Sequence, residues 1–363
     1  MIQSAKPFVR ASVIINNYNY GRFLRRSIDS VLNQTNTSFE LIVVDDGSLD
    51  NSREIISSYG NSIIPVLKKN GGHASAFNAG FQHATGDIIF FLDSDDAMVP
   101  QTIERVLDKW KPGVVMVHYF MQVVDGQGNK LGVFPAKHPG LASGDVVEDL
   151  LKTGSFPTTL TSGLAFSRTA LKKVMPIDEA TFRQAADGYL VRAVAMQGPV
   201  QAIDECLACW TRHGSNDSRI TADYEGLLKG IRRQMRYMAN ELGAVPQLAR
   251  QFGFDPEECV ENQAAEYLLY RLFSLSLDPA GHPLTEDTVS ALWKLFCIAS
   301  LKKTGSLSSK LQKIALASLV RVSPSPVSEP LIRFHLVAES RPVYLRKLNQ
   351  LKKYIQKRLR GAP

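Results

Sequence analysis

The sequence predicts an α/β fold, in which a mostly parallel sheet flanked by helices is followed by a mainly helical C-terminal region. Two observations support this fold class. Strand and helix patterns alternate over the first 120 residues, and the strands there are continuous apolar runs. Such strands are typical of a parallel sheet that helices cover on both faces. From about residue 221 the pattern becomes mainly helical.

The elements of the first part follow one another in a regular order. The β-branched run at 8–15 is the first strand, and apolar residues at helical spacing place the first helix at 22–34. The next elements are strands at 39–44, 62–67 and 87–92, and helices at 52–59 (with Asp50 as N-cap), 73–84 and about 100–110. Ligands of such sheets bind beyond the carboxyl ends of the strands.

After residue 113 the strands become longer and more mixed in composition. A hairpin is predicted at 114–134, a helix near 187–197 and strands near 200–212. The predicted organisation is a first domain at 1–220 with halves at about 1–112 and 113–220, a helical region at 221–340 and a basic tail at 341–363.

The net charge of +7 is concentrated in the tail. Residues 341–363 hold eight Lys/Arg and no acid, which leaves 34 Lys/Arg against 35 Asp/Glu elsewhere. A neutral body argues against nucleic-acid binding. Apolar residues at helical spacing make the tail a basic amphipathic helix, which suits contact with an anionic membrane or a helix packed on its own domain.

The N-terminus lacks a signal-peptide core, and no run reaches the roughly 18 apolar residues of a membrane span, so we expect a cytoplasmic protein. Cys206 and Cys209 form a C-x-x-C in a predicted strand, without a second pair to complete a zinc site. Buried, inert thiols in a reducing compartment are therefore expected.

Acidic and polar clusters follow three of the strands. Asp93, Asp95 and Asp96 follow the strand at 87–92, where carboxylates bind a divalent metal or cap the next helix. Asp45 and Asp46 precede Gly47, in a loop that either binds a base or forms a local turn.

The third cluster is Asn16, Asn17 and Tyr18, after the first strand. An aromatic ring beside short polar side chains suits a base and a ribose, although alone this is a polar turn.

The ordered series SVIINNYNYG, FELIVVDDGS and GGHASAFNAGFQHATGDIIFFLDSDD resembles glycosyltransferase family 2, with the GT-A fold. The resemblance covers about 8–100 and persists more weakly to about 215. It implies that 1–112 is the donor-binding half of the first domain and 113–220 its acceptor and catalytic half. It implies the following roles: Asn16 and Tyr18 at the nucleoside, Asp46 on uracil with Asp45 beside it, Asp95 as the main metal and diphosphate ligand, and Asp93 at the donor sugar or ribose and the metal.

The resemblance also implies roles for residues further along the chain. Asp187 resembles the general base of the family, although an N-cap role alone would explain it. Arg212 would contact the diphosphate and His213 would complete the metal sphere, while a lone loop histidine is more often solvated.

The sequence departs from the family pattern at Phe77 and at Ala186. Phe77 stands where many members have Arg, with His73 nearby, and Ala186 stands where many have a second acid before Asp187. These departures leave open how the charge of the donor is balanced, and they leave one candidate base.

The sequence therefore predicts an inverting glycosyltransferase that uses Mn²⁺ or Mg²⁺ and a nucleotide-sugar donor, with UDP favoured. Its acceptor would be a carbohydrate or lipid-linked glycan, in bacterial polysaccharide or glycan synthesis. The alternative is a catalytically impaired binding or scaffold protein on the same fold. A sugar nucleotidyltransferase is disfavoured, because NNYNYGR is not a Gly-rich basic loop. Oligomerisation and the role of 221–363 stay open.

Overall fold

The fold is taken from a computed structural model of the chain. The structure describes residues 10–135, 137, 140–216, 220, 221, 223–259, 264–302 and 307–337. The predicted tail at 341–363 lies outside these residues.

The described residues form nine strands and twelve α-helices. The strands are β1 (Ala11–Asn17), β2 (Phe39–Asp45), β3 (Ile64–Leu67), β4 (Ile88–Asp93), β5 (Ala97–Met98), β6 (Met116–Asp125), β7 (Lys130–Phe134), β8 (Leu164–Ser167) and β9 (Val200–Arg212). The helices are α1 (Gly21–Leu32), α2 (Ser52–Ser57), α3 (His73–His83), α4 (Thr102–Lys109), α5 (Val147–Thr153), α6 (Arg168–Leu171), α7 (Ala186–Ala195), α8 (Tyr224–Phe252), α9 (Ala265–Leu277), α10 (Val289–Lys302), α11 (Leu307–Val322) and α12 (Ser325–Leu336).

The strands form one sheet in the order β3-β2-β1-β4-β8-β6-β9-β5, with β7 paired to β6. The first four strands of this order are parallel, as the continuous apolar runs predict. The second half is mixed, because β8 lies antiparallel between β4 and β6, and β9 is parallel to β6. The α/β class is confirmed.

Helices cover both faces of the sheet. One core includes Ile14, Phe77 and Phe91, and side chains of α7 pack into it. The core on the other face includes Val13, Phe90 and Leu24 of α1. Neighbouring residues of a strand alternate between the two cores, and this places the parallel strands in the interior.

Most predicted elements of the first 110 residues are present within a few residues of their expected bounds. Two details differ. Asn51 rather than Asp50 occupies the N-cap of α2, and Asp50 accepts a hydrogen bond from the Ser52 backbone N–H instead. Helix α4 begins at Thr102, just after Pro100.

The short elements β5, β8, α5 and α6 have no sequence prediction. Cys206 and Cys209 lie on β9 and are half-buried rather than buried, and burial raises the pKa of both thiols, which keeps them protonated at neutral pH.

The chain divides into two compact units, one of residues 1–213 with 240–261, and one of 214–239 with 262–363. The first holds the whole sheet, and the second holds α9 to α12. The domain boundary predicted at 220 stays a prediction. Among the described residues, no helix is both long and apolar enough to cross a bilayer.

Candidate active site

The candidate site lies where the parallel strands end. In the register of the sheet, Asn16 is opposite Asp93 and Asn17 is opposite Asp45. The side chains follow this register, because the Asn16 amide donates to Asp93 Oδ1 at 3.0 Å and the Asn17 amide to Asp45 Oδ1 at 3.2 Å. The motifs that follow separate strands in the sequence therefore meet at one edge of the sheet.

Asp93 is the centre of the site. Its backbone N–H donates to Ser162 Oγ at 3.1 Å, and its Oδ1 lies 3.8 Å from His73 Nε2. Burial raises the pKa of Asp93 to about 6, and the negative charges of Asp95 and Asp187 add to the rise, while His73 opposes it. A cation or hydrogen-bond donors placed here would lower the cost of ionising this carboxyl group.

His73 lies beside Phe77, the residue that stands where many family members have an arginine. Phe77 is fully buried and stacks on Phe91 with ring centroids 4.0 Å apart, so that position belongs to the core. One turn earlier, His73 packs edge-on against Phe77 and accepts a hydrogen bond at Nδ1 from the Ala186 N–H. Because Nδ1 accepts, the neutral ring carries its proton on Nε2, the atom facing Asp93.

Asp95 faces His213 across the site. Oδ2 of Asp95 lies 3.0 Å from Nε2 of His213, and both side chains are largely buried. Phe23 stacks on the His213 ring at 4.4 Å between centroids, and Tyr20 packs against its edge. The ring is held between α1 and the end of β9, which fixes the direction of Nε2.

Two arginines of α1 border this pair, and the sequence prediction missed both. Arg22 donates to His213 Nδ1 at 3.2 Å, and Arg26 donates to the Asp95 backbone carbonyl at 3.1 Å. Arg26 also donates to Thr211 Oγ1. Their spacing of four residues at the start of a helix that follows a strand is the signal that could have indicated them.

Asp96 is part of the support of the loop. Its Oδ1 accepts the Thr211 N–H at 2.8 Å, and burial, together with Asp95 and Asp93, raises its pKa. Asp96 thereby attaches the acidic loop to β9. Helix capping, the alternative for this cluster, is not what the structure records, because Gln101 is the N-cap of α4 and makes no side-chain cap bond.

Asp46 organises the loop between β3 and α3. Its Oδ1 accepts from Lys68 Nζ at 2.6 Å and from the Gly71 N–H at 2.9 Å. Its Oδ2 accepts from Asn70 Nδ2 at 3.1 Å and from the Gly72 N–H at 2.7 Å. Direct contact of Asp46 with a base stays a prediction, and it requires one of these donors to give way.

Asp45 is a structural residue of the same region. It is completely buried and receives Arg53 Nε at 2.8 Å and the Ser48 N–H at 3.2 Å on Oδ2, besides Asn17 on Oδ1. Three donors satisfy this buried charge, so Asp45 serves to hold the loop after β2 in place. Its predicted place beside the base stays untested.

Asp187 lies in the first turn of α7. Ala185, with φ of 57°, occupies the N-cap position and makes no side-chain cap bond. Asp187 Oδ2 instead accepts a hydrogen bond from Thr161 Oγ1 at 2.9 Å, and Asp187 is close enough to Asp93 to raise the pKa of that residue. The side chain is therefore directed to the acidic site rather than to its own helix end.

A second carboxyl group accompanies Asp187 although Ala186 is fully buried and carries none. Glu241, on the part of α8 that belongs to the first unit, pairs with Arg192 at 2.7 Å. Burial raises the pKa of Glu241 and Asp187 adds to the rise, while Arg192 lowers it. No local sequence pattern indicates Glu241, because it comes from α8, which is distant in the chain.

The other predicted residues are less closely tied to the aspartates. Tyr18 is 44% exposed, so its ring is available to a nucleoside. Arg212 lies over the Trp210 ring at 5.9 Å, and the neighbouring Thr211 side chain is buried and receives Arg26 at Oγ1. Because side chains alternate along a strand, Arg212 leaves β9 on the other side from Thr211.

The residues present fit a metal ion that arrives with a phosphate ligand. Among the described residues, no three or more His, Cys, Asp or Glu side chains form a group that could hold a metal. Asp95 and His213 offer two ligand atoms at 3.0 Å from each other. Mg²⁺ is typically held by one or two carboxylates together with substrate phosphates and water, and Asp95 is a carboxylate of this kind. His213 could add a nitrogen ligand only in the tautomer that leaves Nε2 without a proton, and the Arg22 contact with Nδ1 would then change.

The sequence is similar to those of known glycosyltransferases. Residues 12–174 match the model of the family described as Glycosyl transferase family 2. An uncharacterized glycosyltransferase from Nostoc sp. is 40% identical over 217 residues, 58% of this chain and 66% of the Nostoc protein. The chondroitin synthase of Pasteurella multocida is 41% identical over 102 residues, 27% of this chain and 11% of that protein.

Among solved structures, S. aureus TarS 1-349 in complex with UDP-GlcNAc aligns with a TM-score of 0.48 and 17% identity, over 90% of this chain and 91% of that chain. The chain spans less than two thirds of the length of the curated relatives, 66% of the Nostoc protein and 11% of the chondroitin synthase.

Proposed function

We propose that this chain, which matches glycosyltransferase family 2 over residues 12–174, moves a sugar from a nucleoside diphosphate donor, preferably UDP, to an acceptor hydroxyl with inversion at the anomeric carbon. The observation that carries this proposal is the convergence of Asp93, Asp95 and Asp187 at the ends of the strands. Similarity to a chondroitin synthase supports polysaccharide or glycan synthesis as the process.

The nucleoside end of the donor would lie between Tyr18 and the Asp46 loop. Tyr18 offers an exposed ring for stacking, and the Asp46 carboxylate offers an acceptor for the N3–H of uracil. Two of the four donors on Asp46 are backbone N–H groups and two are side chains, and of the side chains Lys68 is longer and more flexible than Asn70. Uracil binding would therefore exchange the Lys68 contact for the base.

The diphosphate end would lie at Asp95 and His213. These two residues would hold a divalent ion, Mn²⁺ or Mg²⁺, whose contribution is to neutralise charge on the departing diphosphate. Arg22, beside His213, adds a positive charge at the same end. Asn16 and His73 fix the Asp93 carboxylate toward the donor sugar or ribose.

Asp187 would act as the general base. An inverting transfer needs a carboxylate that takes the acceptor proton while the acceptor oxygen attacks the anomeric carbon from the face opposite the leaving diphosphate. Thr161 holds Oδ2 of Asp187 at 2.9 Å, so Oδ1 is the oxygen that would receive the proton. Glu241 is a second buried carboxyl group near Asp187, and the charges of the two groups influence each other.

A second candidate is a binding protein that keeps the fold without turnover. The burial of Phe77 and Ala186 favours it, because both positions lack the charged side chains common in the family. The two functions separate at Asp187, since nucleotide binding alone does not need a base.

The decisive experiment is calorimetric titration of the full chain with UDP, with and without Mn²⁺. We expect binding that depends on Mn²⁺ and that Asp95→Ala abolishes. Asp108→Ala is the matched control, because Asp108 is exposed on α4 and lies away from the site. Absence of UDP binding in both conditions would overturn the UDP assignment, and metal-independent binding unaffected by Asp95→Ala would overturn the metal assignment.

A further inference from the structure

The second unit presents a surface that is apolar and basic at once. Large apolar side chains on α10 and α11 are between 39% and 76% exposed. They are Leu295, Ile298 and Leu301 on α10, and Leu307, Leu311, Leu319 and Val322 on α11. We call these seven residues, with Lys294 and Lys302, the α10–α11 face. Single exposed leucines are ordinary, but seven on two neighbouring helices indicate a contact surface.

The apolar residues of each helix lie on one side. On α10 they recur every three residues, whereas Leu292, Phe296 and Ser300 are buried. On α11 they recur mainly at multiples of four, whereas Ala317 and Val320 are buried. Each helix therefore has one side in the interior of the unit and a second apolar side turned outward.

The two outward sides adjoin. Trp293 Nε1 donates to Ser318 Oγ at 2.9 Å, and the Arg321 guanidinium lies 4.3 Å from the Trp293 ring centroid. At the other end, Lys310 Nζ donates to the Leu301 carbonyl at 3.1 Å. The start of α10 thus meets the end of α11, and the two neighbouring helices run antiparallel. Their exposed apolar residues therefore belong to one pair of packed helices.

The charge on this part of the chain has one sign. Residues 288–328 contain six Lys/Arg and no Asp/Glu. Lys294 and Lys302 are exposed and alternate with the exposed apolar residues of α10. Lys313 is paired with Glu266 at 3.2 Å, outside this stretch, and contributes less to the net charge of the surface.

This charge decides between two occupants. A second copy of the chain would place the same basic surface against itself in a two-fold interface, so like charges would face each other. An anionic lipid surface attracts the lysines and receives the apolar side chains at the boundary between head groups and acyl chains. We propose that the α10–α11 face docks on anionic lipid, with both helices in the plane of the membrane surface.

The proposal stands independently of the transfer reaction, because none of its residues belongs to the candidate active site. The test uses the full chain and co-sedimentation with vesicles of phosphatidylcholine alone or of equal parts phosphatidylcholine and phosphatidylglycerol. We expect binding to the anionic vesicles only, weakening as salt is added. The triple change Ile298→Gln, Leu311→Gln and Leu319→Gln should reduce binding at least about tenfold, since glutamine preserves helix propensity and removes the apolar surface.

Leu131→Gln is the matched control, because Leu131 is 56% exposed on β7 of the first unit, and its binding should equal that of the wild type. The pair Lys294→Gln and Lys302→Gln should bind more weakly and with a smaller salt dependence, which gives a second readout if the triple variant does not fold. Wild-type protein that ignores anionic vesicles overturns the proposal. Undiminished binding of both variants also overturns it, and sedimentation velocity showing a dimer that the triple variant loses would assign the face to a second copy.

Discussion

His73 Nε2 lies 3.8 Å from Asp93 Oδ1, while Nδ1 of the same ring accepts the Ala186 N–H. The imidazole thus joins the acidic loop after β4 to the start of α7, which carries Asp187. Nε2 is buried and has no hydrogen-bond partner within the described part of the chain. A small approach of Asp93 on donor binding would form a hydrogen bond between the two residues.

We predict that His73→Leu lowers the rate of sugar transfer about 10- to 100-fold, because it prevents the hydrogen bond to a charged group that would form when the donor binds. His73→Gln should recover part of the rate, since its amide can donate to Asp93. The measurement is UDP release from a panel of UDP-sugars with acceptor present. His83→Leu, at the exposed end of α3, is the control, and a His73→Leu enzyme as fast as this control would contradict the assignment.

Asp187→Asn separates catalysis from binding. We predict a loss of at least about a hundredfold in transfer rate, because the amide cannot take the acceptor proton. The affinity for UDP in calorimetry should stay near that of the wild type. Asp145→Asn is matched, since Asp145 also lies near the start of a helix, two residues before α5, and accepts the Val147 N–H. Equal transfer rates in the two variants would favour the binding-protein alternative.

Gly47 is the glycine on which the Asp46 loop depends. Its φ is 82°, and a Cβ atom there would lie 2.6 Å from the Asn70 backbone nitrogen. We predict that Gly47→Ala destabilises the first unit by about 1–3 kcal/mol and weakens UDP binding. Gly60→Ala also has positive φ but meets no atom within 4 Å, so it measures the backbone strain alone. Comparable losses from both changes would show that the contact with Asn70 is unimportant.

The parallel half of the fold was predictable because each of its main strands has a recognisable local sequence pattern. Each of β1, β2 and β4 is a continuous apolar run that is buried on both faces. By contrast, β8 has four residues and exists because it fits between β4 and β6. Pairing partners that are distant in the sequence stabilise such a strand, and no local pattern encodes them.

The residues of the candidate site also fall into those that the local sequence predicts and those that it does not. Asp93 and Asp95 follow a recognisable strand, so the edge of the sheet on which they lie could be predicted. The contact of Lys68 with Asp46 could not, because it depends on how the chain after β3 packs, whereas the four-residue spacing of Arg22 and Arg26 was a usable local signal. Glu241 is the least predictable residue of the site, since the chain belongs to the first unit again only from Asn240 onward.

The second unit contains a buried network with the residue types of a catalytic triad. Ser274 Oγ lies 3.0 Å from His282 Nδ1, and His282 Nε2 lies 2.8 Å from Asp287 Oδ2, which also receives Arg271. Ser274 is fully buried, so the network stabilises the fold rather than exposing a nucleophile. We predict no labelling of Ser274 by a fluorophosphonate probe.

Asp287→Asn should destabilise the second unit by about 3–5 kcal/mol, because Arg271 would keep a largely buried charge without its partner. Asp278→Asn removes an ion pair at a part-exposed aspartate of the same unit and should destabilise that unit much less, because solvent screens the pair. Urea unfolding followed by hydrogen exchange in α9 measures both. Equal effects of the two changes would mean that the buried network adds little.

His118 makes the stability of the first unit depend on pH. The ring is fully buried on β6, where Nε2 donates to the Ala142 carbonyl at 2.7 Å and Nδ1 accepts from Thr158 Oγ1 at 2.9 Å. This tautomer is neutral and satisfied, and burial lowers its pKa from 6.5 to about 4. Between these pH values the unfolded chain binds more protons than the folded one, so stability is retained above pH 6.5 and falls as the pH falls toward 4.

The size of this effect is roughly 3 kcal/mol across the window, at about 1.4 kcal/mol for each pKa unit. His118→Gln keeps a donor and an acceptor but does not titrate, so the melting temperature of this variant should fall less than that of the wild type between pH 7 and pH 4. Asp93 and other groups contribute equally to both proteins and cancel in the comparison. His83→Gln, which removes an exposed histidine, should keep the wild-type dependence, and parallel curves for His118→Gln and the wild type would refute the assignment.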